Sequence, residues 1–278
     1  SRLSTWTPVA MNAPFFWAIS VSGRSMPSKI FSMMPGPSVA ESGAPVPLTG
    51  SPTSRPVVFS YTWMVVRASL TLMTSLADWF GYGVLDKLTD EQVQRLLVCE
   101  HGSINESYLD VYELTGELRY LEWAGRLNDR SMWVPLSEGK DILNGWHANT
   151  QIPKFTGFEK YYTHTGDVRF DRAARNFWEI VTTRHSWVIG GNSTGEHFFP
   201  ESGFEEKVLQ QGGPETCNSV NMMRLTESLF AQRPEARMAE YYERVLLNHI
   251  LSAYDPCKGM CVYFTPMRPA HYRVYGSE

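Results

Sequence analysis

The chain has 278 residues, 43% hydrophobic and 13% aromatic, which is enough to bury a substantial core and too apolar for disorder. Its formal net charge of -4 supplies no basic stripe for a phosphate backbone, so nucleic acid is excluded as a natural partner and a neutral substrate fits better. No apolar run approaches a membrane span, and Ala13 to Val21 lacks the basic flank of a signal peptide. That pattern favours the cytoplasm without fixing the compartment.

Residues 1–60 are rich in Ser, Pro, Gly and Met, nearly free of acids and without a sustained period. They are expected to form an atypical, poorly ordered N-terminal segment ahead of a domain over 61–278. From about Trp63 the pattern turns helical. Thr89-Asp90-Glu91-Gln92 reads as a helix start with Thr89 as N-cap.

A repeat follows. Tyr112-Glu113-Leu114-Thr115-Gly116 leads into Glu117 to Ala124, and Tyr162-Thr163-His164-Thr165-Gly166 leads into Asp167 to Ala174, the two glycines being 50 residues apart. Each unit predicts a helix closed by a glycine cap and an antiparallel partner after it. A third, less regular copy runs from Asn221 through Pro234 to Leu247. Serial hairpins of this length predict an all-α fold, either an open solenoid or a closed α/α toroid.

The chemistry concentrates between the second and third copies. Glu196 lies in Gly195-Glu196-His197-Phe198-Phe199, where adjacent aromatics are expected to lower the local polarity around a candidate acid. Glu215 and Cys217 stand in Glu215-Thr216-Cys217 at a helix entrance and offer one oxygen and one sulfur donor of the kind that binds zinc. From pattern alone the better reading is a solvated loop acid and a helix-start Glu beside a buried Cys. His101, in Glu100-His101-Gly102, and His147, in His147-Ala148-Asn149-Thr150-Gln151, sit at polar helix entrances. Asn105, Glu106, Asn149 and Gln151 add hydrogen-bonding capacity nearby. The four cysteines are too few and too uneven for a disulfide framework; Cys99 reads as a small buried hydrophobe, and Cys257 and Cys261 flank a Lys258-Gly259 turn as a weak zinc signal.

The Gly190-Gly191-Asn192-Ser193, Gly-Glu-x-Phe, Glu-x-Cys and Asn221-Met222-Met223-Arg224-Leu225 segments together resemble the β-L-arabinofuranosidase family of bacterial glycoside hydrolases, and the resemblance extends from about Ala77 to Glu278. The resemblance selects a partial (α/α)6 toroid and implies a retaining hydrolase acting on an arabinose-containing oligosaccharide or glycan. It implies Glu196 as acid/base, zinc held by Glu215, Cys217 and two adjacent cysteines farther along, one of them also the nucleophile, and a sugar pocket lined by His101, His147 and Tyr263. The chain departs from the family in three places. Tyr61-Thr62-Trp63 is followed by Met64-Val65 where relatives carry a histidine, residues 1 to about 60 match nothing in the family, and no Cys-Cys occurs before Glu278. These departures predict a chain that is inactive alone. Two rivals remain: a non-catalytic fragment that keeps a carbohydrate pocket, and another toroid enzyme such as a lyase or unsaturated glycuronyl hydrolase.

Overall fold

The computed structural model describes residues 55–99, 101–271, 273 and 275. The described residues lie within one compact unit, Thr53–Glu278, and the expectation for residues 1–60 falls largely outside the described residues. Helix α1 covers Arg55–Gly83, beginning earlier than the pattern at Trp63 suggests. It is followed by a 3-10 turn at Leu85–Lys87 and by α2, Asp90–Leu96. Thr89 caps α2 in both directions: its hydroxyl accepts from the Gln92 N–H, and the Gln92 side chain accepts from the Thr89 N–H at 2.8 Å. That reciprocal bonding satisfies two donors that a helix start otherwise leaves open.

The first hairpin pairs α3, Ile104–Thr115, with α4, Leu118–Arg126. After α5, Arg130–Ser137, the second pairs α6, Ala148–Thr165, with α7, Val168–Arg184. The sequence repeat is one physical device used twice. Gly116 has φ 73° and ψ 8°, and Gly166 has φ 73° and ψ 7°, a left-handed cap that suits glycine best. In both copies the preceding threonine bonds back into its own helix (Thr115 to the Val111 carbonyl, 2.7 Å; Thr165 to the Tyr161 carbonyl, 2.8 Å) and accepts the N–H two residues on at 3.3 Å. A four-residue helix α8, Phe204–Lys207, follows the Glu196 loop. The third hairpin is α9, Thr216–Gln232, with α10, Ala236–Val245. It continues as a π-helical turn at Leu246–Ile250 and ends in a two-residue-stranded hairpin, Tyr254–Asp255 against Met260–Cys261.

α3, α6 and α9 pack in succession, each with its hairpin partner alongside. Close approach is built in by small residues: a Cβ on Gly157 of α6 would fall 2.4 Å from the Asn105 side chain of α3, and one on Gly81 of α1 would fall 2.4 Å from the Trp123 ring of α4. The larger core joins Phe155, Phe158, Phe170, Phe177, Met222 and Tyr241 among others, with Phe155 and Phe177 stacked at 3.7 Å. A smaller core under α1 and α2 gathers Leu85, Val93, Leu109, Tyr120 and Trp123. The fold is all-α in hairpins, as the repeat predicts. Cys99 departs from expectation, since it lies exposed just past α2. Among the described residues no helix is long and apolar enough to cross a membrane.

Candidate active site

The loop carrying Glu196 is tied to the start of α6 by the open N–H groups that a helix start presents. The Ala148 N–H donates to the Glu196 carbonyl at 2.8 Å, the Phe198 N–H to the Trp146 carbonyl at 2.9 Å, and the Gly145 N–H to the Phe198 carbonyl at 2.9 Å. Gly195 and Glu196 both take left-handed backbone conformations, φ 52° and 71°. For glycine this is routine, whereas for a glutamate it is uncommon and costs energy that the surrounding bonds must offset. The outcome is a half-exposed Glu196 carboxylate with two neighbours: the Tyr263 hydroxyl donates to Oε1 at 3.1 Å, and His147 Nε2 stands 3.7 Å from Oε2. The adjacent aromatics do not enclose it. Phe198 and Phe199 are buried and pack on Phe177, His185 and Trp187 instead, which corrects the expectation that they form an apolar jacket around the acid.

Glu215 is the N-cap of α9. Its segment pairs with the C-terminal one: Glu215 bridges Phe264, and the Thr265 N–H donates to the Pro214 carbonyl at 3.0 Å. Gly213 permits that pairing, since a Cβ there would fall 1.8 Å from the Thr265 carbonyl oxygen. The pairing delivers Tyr263 to Glu196. Glu215 is 1% exposed, and neither of its carboxylate oxygens has a hydrogen-bond partner of acceptable geometry. Burial raises its pKa, with the charge of Glu196 acting in the same direction and Tyr263 and His147 opposing. The Cys217 thiol is exposed, yet its pKa is also raised, first by the protein around it and then by the charge of Glu215, with Cys261 and Glu196 adding to the shift. Partial desolvation and the two carboxylates hold the Tyr263 phenol well above its usual range, so it remains a donor.

His147, Glu196, Glu215, Cys217 and Tyr263 therefore share one neighbourhood. His101 stands apart from Glu196, its Nδ1 donating to the Cys99 carbonyl (3.2 Å) in the field of Lys154 and Asp129. A cavity of about 280 Å³ has Asp129, Ser131, Trp146, His147, Gln151 and His197 in its wall, and neither His101 nor Glu196 lines it. The other polar residues singled out in the sequence divide. Gln151 lines the cavity with Oε1 unpartnered. Asn105 instead binds Asn128 and the Lys154 carbonyl, Glu106 pairs with Arg224 at 2.6 Å, and Asn149 accepts from Asn221 at 2.9 Å.

As zinc donors, Glu215 and Cys217 fit chemically: a buried carboxylate with two open oxygens beside a thiol is a hard-and-soft pair of the type zinc accepts. They supply two ligands, and no group of three metal-binding side chains gathers among the described residues. Sequence reasoning missed the supports beneath the loop. Ser193 is left-handed at φ 72°, its carbonyl accepts from the Trp187 indole at 2.9 Å, and its hydroxyl accepts from Asn218 at 2.8 Å. Only the Gly190-Gly191 pair hinted at a close approach. It is realised against Val245 and His249, where added Cβ atoms would come within 2.5 and 2.6 Å.

The described residues thus form a row of α-helical hairpins with a loop glutamate near a buried carboxylate and a cysteine. The chain belongs to the β-L-arabinofuranosidase GH127 catalytic-domain family, whose model matches residues 57–278. It is similar to a solved GH127 β-arabinofuranosidase at 20% identity, covering 59% of this chain and 28% of that one, with a TM-score of 0.50. It is also similar to a GH127 β-L-arabinofuranosidase from Geobacillus stearothermophilus T6 at 20% identity, covering 59% of this chain and 30% of that one, with a TM-score of 0.48. The chain thus spans less than a third of either structure's length. No curated protein sequence matches it.

Proposed function

We propose that this chain carries the acid/base side of a retaining glycosidase site that removes terminal β-L-arabinofuranosyl residues from plant oligosaccharides or glycans. The observation that carries the reading is the Glu196 carboxylate, aimed by Tyr263 and flanked by His147, beside the unpartnered Glu215 and the Cys217 thiol. In the first half-reaction the Glu196 carboxyl gives its proton to the glycosidic oxygen as the bond to the anomeric carbon breaks and its electron pair stays on that oxygen. A cysteine thiolate outside the residues described here forms the bond to carbon. In the second half-reaction the Glu196 carboxylate takes a proton from water, whose oxygen displaces the sulfur.

Tyr263 holds Oε1, so the proton resides on the opposite oxygen, the one toward His147. His147 and Gln151 present hydrogen-bonding edges to a ring bound in the cavity, while Trp146 offers an apolar face for its C–H groups. Glu215 and Cys217 are the residues that would hold zinc, and zinc when bound supplies the positive charge that keeps a neighbouring sulfur deprotonated.

The test is hydrolysis of an alkyl β-L-arabinofuranoside, whose leaving oxygen must be protonated, by the purified chain with added zinc, alone and together with the remainder of a full-length relative, set against Glu196→Gln. Activity that needs the added segment and is lost in the variant supports this division of labour. Robust activity of the chain alone would move the nucleophile inside residues 1–278, and full activity of the variant would remove Glu196 from its role.

A further inference from the structure

Two segments hold the groups assigned to chemistry: the 190–199 loop carries Glu196, and the start of α9 carries Glu215 and Cys217. They are consecutive in the chain and joined by the irregular stretch 200–214. A glycosidase needs its acid and its opposing groups fixed relative to one another to within a fraction of an ångström. Something must hold loop to helix, and the 200–214 stretch, with one 3-10 turn and a four-residue helix, is too irregular to do so alone.

Asn218 makes that connection. It lies three residues after Glu215, and residues three apart share one side of a helix start. Its Nδ2 donates to the Ser193 hydroxyl at 2.8 Å, with both residues sealed from water at 0% and 1% exposure. Ser193 occupies a left-handed conformation, φ 72°, that a serine leaves readily unless held. Its two holds are Asn218 from α9 and the Trp187 indole, 2.9 Å from the Ser193 carbonyl. Two and three residues on, the chain turns left-handed again at Gly195 and Glu196 and enters the bonds to Gly212 and Ala148. Rotation at Ser193 therefore swings the Glu196 carboxylate as the end of a short lever.

We propose that Asn218 is a positioning residue for the acid: by locking Ser193 it fixes the Glu196 carboxylate relative to Glu215 and Cys217. The catalytic half of this inference rests on the assignment of Glu196 as the acid; the structural half does not. Because neither Asn218 nor Ser193 is ionisable under working conditions, the lock itself is independent of pH.

Two measurements on the full chain test it, using Asn218→Ala, Ser193→Ala and the double variant. The first is amide hydrogen exchange. The Gly195, His197 and Phe198 N–H groups donate within the loop or to its neighbours, and they should exchange faster in each single variant while amides in the middle of α6 and α7 stay protected. The double variant should be no worse than either single, since both remove the same contact. Unchanged loop exchange overturns the lock whether or not the protein is a glycosidase. Should Asn218→Ala fail to fold, Ser193→Ala removes the contact from outside the helix and carries the test.

The second measurement compares leaving groups in the reconstituted enzyme. A dinitrophenolate departs without protonation and an alkoxide does not, so in kcat/KM, which reports the first half-reaction, a misplaced acid slows alkyl glycosides by about 10- to 100-fold while sparing the activated aryl glycoside. Asn218→Ala should show that split, and Glu196→Gln should show it more strongly. Equal loss on both substrates, with Glu196→Gln still discriminating, would reduce Asn218 to a packing residue and overturn the proposal. Failure of Glu196→Gln to discriminate would instead sink the assignment of the acid, leaving the exchange result to decide the lock.

Discussion

Glu159, in the middle of α6, isolates what burial does to a carboxylate away from the site. It is 3% exposed and accepts from the Ser228 hydroxyl of α9. Burial raises its pKa above the usual 4.5, outweighing Ser228, Arg175 and Lys160, which pull it down. The unfolded chain therefore loses this proton at a lower pH than the folded one does. Between the two pKa values the native state binds more protons, so stability falls as pH rises from about the usual carboxylate value through the folded one. Glu159→Gln keeps an acceptor for Ser228 and removes the titration. Its thermal midpoint should match the parent's near pH 4 and exceed it at pH 7, read by melting both proteins across that range. A parent that outlasts the variant at pH 7 would mean the ionised form is the stabilised one. The buried Lys154–Asp129 pair, 2.7 Å apart and 2% and 7% exposed, tests the opposite case. Asp129→Ala strands a cation and should cost about 3–5 kcal/mol in denaturant unfolding.

At the scale of elements, the hairpin caps were readable because a helix end needs a left-handed residue and glycine is the residue that supplies it. Thr115-Gly116 and Thr165-Gly166 announced both the turn and its repetition. The Glu196 loop was readable as a loop and not as a shape, since no pattern marks Ser193 or Glu196 as left-handed; those conformations are held by Trp187, six residues before Ser193, and by Asn218 and Ala148 from other helices. Cys99 escaped for a related reason: its apolar neighbours suggested burial, but Leu96 and Val98 beside it are themselves exposed. Two glycine substitutions separate conformation from crowding. Around Gly166 nothing lies within 4 Å of an added Cβ, so Gly166→Ala should cost only the left-handed penalty, about 1–2 kcal/mol, with Gly166→Asn costing less. Gly213→Ala meets the Thr265 carbonyl oxygen at 1.8 Å and must separate the strands that carry Tyr263 to Glu196. It should cost about 1–3 kcal/mol and, unlike the cap variant, quench the contact between Tyr263 and the acid, seen as a changed tyrosine environment by NMR.

For the molecule as a whole, hairpin repeats raise the question of whether the unit behaves as a stack of independent neighbours or as one cooperative body. Nearest-neighbour stacks lose their repeats separately. Here polar ties cross the row: Lys160 of α6 pairs with Asp110 and Glu113 of α3, Ser228 of α9 with Glu159 of α6, and Arg224 of α9 reaches Glu106 of α3 across 118 residues of sequence. The last tie joins the first hairpin to the third. Glu106 is 8% exposed, and burial raises its pKa against the pull of Arg224, so loss of the guanidinium leaves a buried acid with its main charge partner gone. Arg224 itself is half exposed, which lets solvent screen the pair and limits the cost to about 1–3 kcal/mol. Arg224→Ala should therefore loosen α3, a helix it does not belong to, and hydrogen exchange along Ile104–Thr115 should quicken together with that of α9. In the parent, far-ultraviolet circular dichroism and tryptophan fluorescence should report one coincident unfolding transition. Two separated transitions, or a variant whose faster exchange stays confined to α9, would show that the hairpins stand alone and that the ties across the row do not couple them.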